Sequence, residues 1–274
     1  MRVDFILLGS MKSGTSTLVK ILRMHPDISF SRPKEPQFFS DPQISWENEI
    51  DKYHSYFHKE GVVYGEGSTN YTKYPRFRLN IWDDIYDYNK NMKFLYLIRN
   101  PVDRTVSHYM HFFQRGFTTA SLEEAILFKP ELINTSRYYM QIIPFIRRFG
   151  IEKVKILLFD DLLKKPEDVA RDVFTFLGLD YFHLPEEIHE FHVNKSVGAI
   201  KTHRKYDNPT GLKLFIKNNF PKLWTKIITK TSVVLDEKPY ISKELNKMII
   251  NLVELDIIAM EKLIERDLSD WLKC

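Results

Sequence analysis

The apolar run Val3-Asp4-Phe5-Ile6-Leu7-Leu8 ends at Gly9 and passes through Ser10-Met11-Lys12-Ser13-Gly14 into Thr15-Ser16-Thr17-Leu18. The run is short and almost continuously apolar, the pattern of a strand buried on both faces. The two glycines bound a loop, and a helix is expected to start after Gly14. A strand that enters a helix through such a loop gathers backbone N–H groups at the helix N-terminus, where a phosphate can sit.

The position of the lysine narrows the chemistry. In the usual phosphate-binding loop the last glycine is followed by Lys-Ser/Thr, which serve the distal phosphates and Mg²⁺. Here Gly14 is followed by Thr15, and Lys12 lies inside the loop. Lys12 can place a point charge on a phosphate, with Ser13, Gly14, Thr15, Ser16 and Thr17 as N–H and hydroxyl donors. The bland alternative is a glycine-rich turn with a surface lysine. The strand–loop–helix context favours the phosphate, without ordinary Mg-nucleotide chemistry.

Short apolar segments at 3–8, 61–65, 93–98 and 153–159 read as buried strands. Helical patterns fall between or after them at 15–24, 75–88, 101–115, 136–149 and 166–177. The last opens on Pro166, carries acids in its first turn and stops at Gly178. This alternation predicts an α/β fold with a P-loop-type parallel sheet flanked by helices, whose ligands bind beyond the carboxyl ends of the strands. Residues 180–210 read as polar and irregular. Residues 211–230 combine five lysines with aromatic and aliphatic residues and no acid, and 241–272 carry a long amphipathic helical stripe. The expected organisation is one domain over 1–274, with an α/β core to 180 and a loop and helical part over 181–274.

Two further segments carry candidate chemistry. Arg99 stands at the end of the 93–98 strand, ahead of Pro101, with Ser107 about two helical turns on. An arginine there can grip a phosphate bidentately, although Arg-Asn-Pro-Val-Asp also reads as a plain Arg–Asp pair. Lys34-Glu35-Pro36-Gln37-Phe38-Phe39 follows a second strand-like segment and sets a carboxylate beside a lysine ahead of two aromatics. By composition alone it reads as a solvated turn.

In this order, the three segments resemble the sulfotransferases that use 3′-phosphoadenosine 5′-phosphosulfate. Gly9–Leu18 is similar to their 5′-phosphosulfate loop, and Arg99–Ser107 to their 3′-phosphate motif. Lys34–Phe39 is similar to the segment bearing the catalytic glutamate in the heparan-sulfate type. Gly65-Glu66-Gly67-Ser68-Thr69-Asn70-Tyr71 and the stretch from Arg137-Tyr138 to Phe176-Leu177-Gly178 also resemble that family. Two departures bear on the acceptor: Gly67 stands where heparan-type members usually carry a lysine, and the cysteine pair near their C-terminal cofactor loop is absent. The resemblance implies sulfonate transfer to an acceptor hydroxyl or amine, with adenosine 3′,5′-bisphosphate as product and no metal. Glu35 would be the base, and Lys12 would stabilise charge on the departing phosphate. Lys12–Thr17, Arg99, Ser107 and Tyr138 would hold the nucleotide. Lys201, Thr202, His203 and Arg204 are candidates for the C-terminal loop contact, beside Asn194-Lys195-Ser196.

His108 and His111 are rival bases, because small-molecule sulfotransferases use a histidine. Theirs lies on the substrate-side segment, and residues 62–80 contain none, so these two are expected to pack or face solvent. The rival functions are a Mg-ATP kinase and a non-catalytic module that binds a membrane or an acidic ligand through 211–230. The expected acceptor is a small molecule, glycan or glycolipid. The net charge of +4 is too small to argue for nucleic acid. The lone cysteine, Cys274, and a short N-terminal apolar run that leads straight into the loop point to a cytoplasmic location. A peripheral membrane contact through 211–230 is the alternative.

Overall fold

The computed structural model describes residues 1–58, 60–185, 200–203, 232–235 and 239–273. Its centre is a sheet of β1 (Phe5–Gly9), β2 (Ile28–Phe30), β3 (Val63–Glu66), β4 (Lys93–Ile98) and β5 (Val154–Leu158). Their spatial order is β2-β3-β1-β4-β5, and each pairing is parallel. Alternate residues of a strand face opposite sides of a sheet. Phe5 and Leu7 of β1, with Leu95 and Leu97 of β4, therefore enter one apolar layer. Ile6 and Leu8, with Phe94, Tyr96 and Ile98, enter the other.

Helix α1 (Thr15–Met24) covers the first face. On the same face lies a later helix, Pro166–Leu177, which runs between the predicted limits. Between β1 and that helix the chain forms α2 (Ile50–His54), α3 (Ile81–Tyr88), α4 (Pro101–Gln114), α5 (Leu122–Phe128), α6 (Glu131–Asn134), α7 (Tyr138–Phe149) and α8 (Phe159–Lys164), so the helix over 166–177 is α9. The second face is covered by α3, α4, α7 and α10 (Lys243–Ile264).

From β1 the chain crosses the first face through α1 to the edge strand β2, and from β3 it crosses the second face through α3 to β4 on the other side of β1. The order of the sheet reverses there, and such a crevice at the carboxyl ends is where ligands enter open α/β sheets. The loop after β1 and Arg99 after β4 both lie at this point.

The strand-like segment ahead of Lys34 is β2. Helix α3 begins only at Ile81, six residues later than the sequence pattern suggests, with Asp83 and Asp84 in its first turn where the helix dipole favours acids. The 241–272 stripe is not one helix. Glu265 takes a left-handed conformation, φ 51°, and a separate 3₁₀ turn follows at Ser269–Leu272.

The stretch 180–210 is not irregular throughout. Residues Ile200–His203 form β6, paired antiparallel with β7 (Ser232–Leu235). Strands this short, with partners far apart in the chain, leave too little alternation to read. Asn194–Ser196, Arg204, the basic stretch 211–230 and Cys274 lie outside the described residues. No helix among the described residues is long and apolar enough to cross a membrane.

Candidate active site

The loop between β1 and α1 is held from within. Ser10 N–H donates to Leu97 O at 2.7 Å, Ser13 N–H to Ser10 O at 3.2 Å, and the Ser10 and Ser13 hydroxyls meet at 2.5 Å. Lys12 (φ 71°) and Gly14 (φ 92°) turn the chain through left-handed conformations. The first helix-type bonds run from Thr17 and Leu18 to Gly14 O. The N–H groups just before them belong to the helix's unpaired first turn and make its end an anion site.

Three cations converge on this end. Lys12 is half-buried, and burial first, then the charges of Arg99 and Lys34, push its pKa down. Lys34 Nζ donates to Thr15 Oγ1 at 3.3 Å and to Ser16 Oγ at 3.1 Å. Arg99 reaches Lys12 O at 3.5 Å, stacks over the Phe159 ring with its guanidinium 4.7 Å from the centroid, and pairs with Asp103 at 3.5 Å. Crowded cations are relieved by an anion, so a phosphate-bearing ligand fits this arrangement.

A cleft of about 560 Å³ opens from the loop, with Lys12, Thr15 and Glu35 in its wall. The Glu35 carboxylate accepts from Thr69 Oγ1 at 3.1 Å and meets Lys34 Nζ at 3.4 Å. Lys73, Arg76, His111 and Arg115 line the cleft further out, opposed by Glu131. Lys73 donates to Asn70 Oδ1 at 2.7 Å, and burial lowers its pKa to about 8. Burial and the neighbouring cations Lys12, Arg115 and Lys73 hold His111 down to about 4, so its imidazole is neutral at pH 7.

The sequence-predicted residues divide. Lys12, Thr15 and Glu35 meet in the cleft wall, Ser16 lies in the exposed first turn of α1, Thr17 is half-buried one residue on, and Arg99 stands beside Lys12. Ser107 is half-buried on the α4 face that carries Asp103. Ser13 is 0% exposed, with its N–H and hydroxyl both engaged by Ser10. Tyr138 is also 0% exposed and donates to Arg99 O at 2.6 Å, so it supports Arg99 from behind. Lys201, Thr202 and His203 form a strand beside α4 rather than a loop.

His108 and His111 both line the cleft. His108 is buried, and Arg104 donates to its Nδ1 at 3.1 Å, which leaves the proton on Nε2. Sequence reading missed Arg104, whose guanidinium is wholly buried and donates to Ser136 Oγ at 2.6 Å, to Leu132 O and to Met11 O at 3.5 Å. Burial lowers its pKa to about 10, and it joins α4 to the loop and to α6. Its place inside the Arg99–Ser107 run was the available signal. Lys73 and Thr69 were given no role either, although Thr69 lies within the Gly65–Tyr71 segment and Lys73 two residues beyond it.

The sulfotransferase domain model matches residues 2–249. A sulfotransferase from Alicyclobacillus acidocaldarius has the same fold, with a TM-score of 0.71 and 25% identity over 100% of both chains. The membrane-associated sulfotransferase kil1 of Dictyostelium discoideum is 32% identical over 114 residues, 40% of this chain and 22% of kil1. Mouse heparan sulfate glucosamine 3-O-sulfotransferase 3A1 is 27% identical over 188 residues, 64% of this chain and 45% of that protein. The chain thus spans less than half the length of these curated relatives.

Proposed function

The chain belongs to the sulfotransferase family, and on that premise we propose that it moves a sulfonate group from 3′-phosphoadenosine 5′-phosphosulfate to a hydroxyl or amine of a carbohydrate or glycolipid. The observation that carries this is the convergence of Lys12, Lys34 and Arg99 on an uncapped helix start, with Glu35 a few ångströms away in the cleft wall. The donor, when bound, supplies the sulfonate and leaves as adenosine 3′,5′-bisphosphate.

The loop N–H groups and Lys12 hold the 5′ end and balance charge on the departing phosphate. Arg99, with Ser107, holds the 3′-phosphate. Glu35 takes the proton of the acceptor hydroxyl or amine, and Thr69 and Lys34 fix its two oxygens for that task. Positioning and charge stabilisation carry the rate, because the protein forms no bond to the group transferred. The width and polarity of the cleft, together with the heparan-type relative, support a sugar acceptor.

Thermal stabilisation by adenosine 3′,5′-bisphosphate without Mg²⁺ is expected. Stabilisation by Mg-ATP alone refutes the reading. Labelled-donor transfer to a panel of sugars and lipids identifies the acceptor, and Glu35→Gln keeps bisphosphate binding while losing transfer. Near wild-type transfer by that variant removes Glu35 as base.

A further inference from the structure

A second basic hollow lies at the β2 edge of the sheet. Its volume is about 310 Å³, and its wall is formed by Arg23, Ile28, Phe30, Arg32 and His58. None of these residues lines the cleft that holds Lys12 and Glu35, and none has a part in the transfer described above.

Each basic residue comes from a different segment. Arg23 stands in the last turn of α1, Arg32 two residues beyond β2, and His58 four residues beyond α2. Pairing fixes the wall between them. Ile28 and Phe30 are in register with Val63 and Gly65 of β3. Arg32 N–H donates to Tyr56 O at 2.8 Å, which brings the segment of His58 alongside. Arg23 is held in place: its guanidinium lies over the Phe30 ring, 5.3 Å from the centroid, and donates to Ser31 O at 2.9 Å. A guanidinium has five N–H donors, so that bond leaves others for a ligand.

The wall carries three basic side chains and no carboxylate. Other arginines of this chain meet acids: Arg76 pairs with Glu131, Arg78 with Asp84, Arg148 with Asp83 and Arg266 with Asp161. Arg23 instead faces Arg32, and burial together with that second charge pushes its pKa down. A cation at a helix C-terminus is favoured by the helix dipole. That accounts for Arg23, but not for Arg32 and His58 in the same wall. Two guanidiniums suit a tetrahedral oxyanion, which each can grip through paired N–H donors. Three basic groups match a dianion better than a monoanion, and Ile28 and Phe30 set an apolar surface beside them.

We propose that this hollow is a second anion site, which takes a phosphate monoester with an apolar body. The phosphate oxygens accept from Arg23 and Arg32, with His58 beside them, and the body packs on Ile28 and Phe30.

Titration of the full chain with phenyl phosphate, followed by the methyl NMR signal of Ile28, tests this. At about pH 7.5 the probe carries close to two negative charges. A saturable shift with a Kd on the order of 1 mM or tighter is expected. Phenol gives no such shift, and phenyl sulfate and inorganic phosphate each bind more weakly. Arg23→Gln and Arg32→Gln each raise the Kd about tenfold. Arg32 is exposed, so its variant decides the matter should the loss of Arg23 disturb α1. Lys12→Ala, at the donor end, leaves the Ile28 response unchanged. No saturable shift, an equal response to phenol, or full affinity in Arg32→Gln overturns the site. Equal affinity for phenyl sulfate refutes the dianion, and equal affinity for inorganic phosphate refutes the apolar half. Loss of the Ile28 response in Lys12→Ala refutes a site separate from the donor end. Failure of adenosine 3′,5′-bisphosphate to bind bears on the sulfotransferase reading alone and leaves this result standing.

Discussion

Gly14→Ala tests whether the phosphate loop and the Arg99 grip are one mechanical unit. Gly14 has φ 92°, and a Cβ there would lie 2.6 Å from Phe159 Cδ2. The ring cannot ignore this contact, since Arg99 stacks on it at 4.7 Å. A left-handed residue with a side chain costs about 1–2 kcal/mol. Forcing a methyl against a packed ring adds about 1–3 kcal/mol. Together they predict a loss of about 3 kcal/mol, or roughly 6–12 °C in Tm for a domain of this size. Denaturant titration measures the loss, and calorimetric titration of adenosine 3′,5′-bisphosphate measures the binding, expected to weaken at least about tenfold, or 1.4 kcal/mol. Gly67→Ala is the control: its Cβ would meet Phe30 Cζ at 3.2 Å with no positive φ, and it is expected to cost under about 1 kcal/mol. A Gly14→Ala protein within about 0.5 kcal/mol of wild type, with unaltered bisphosphate affinity, refutes the coupling.

Arg104→Met strands the buried His108 Nδ1 and leaves the Leu132 carbonyl only the Thr105 hydroxyl at 3.3 Å; a loss of about 3 kcal/mol in urea denaturation is expected, and a loss below about 1 kcal/mol contradicts the role given to this guanidinium. Asp256 of α10 accepts from the Tyr139 and Met140 amides at 2.9 and 2.8 Å, capping α7 from another part of the chain. Asp256→Ala therefore costs about 1–2 kcal/mol and speeds exchange at those two amides, and equal protection in the variant dismisses the cap. Glu66 gives a signed pH effect. Its pKa is raised on folding from 4.5 to about 7, so the unfolded chain ionises first as pH rises. The associated stability is fully present below pH 4.5 and is lost by about pH 7, a fall of about 3 kcal/mol. Urea titrations of wild type against Glu66→Gln across that window should show this excess slope in the wild type, and parallel curves count against it.

Several elements were legible because their determinants are contiguous. Thr15–Met24 and Pro166–Leu177 each carry a start signal, a stripe and a stop within one helix, and they form between the predicted limits. The loop could be read for the same reason, since its donors are successive backbone amides between Gly9 and Thr17. The direction in which Ser13 and Tyr138 turn was not legible, because motif position does not say which way a side chain points. Both turn inward, one to Ser10 and one to Arg99 O.

By itself, then, the sequence determined an α/β sheet with an anion-binding loop, a charged residue at the end of β4 and a glutamate after β2. These follow from local periodicity, glycine placement and charge. Tertiary structure decided what surrounds them. It joined Ser68 and Tyr71 to the amides of residues 37 and 39, Asp256 to the start of α7, and Arg104 to Leu132 and Met11. Each of these contacts links segments far apart in the chain, and the geometry of a hydrogen bond is fixed only when packing has brought both partners to within about 3 Å.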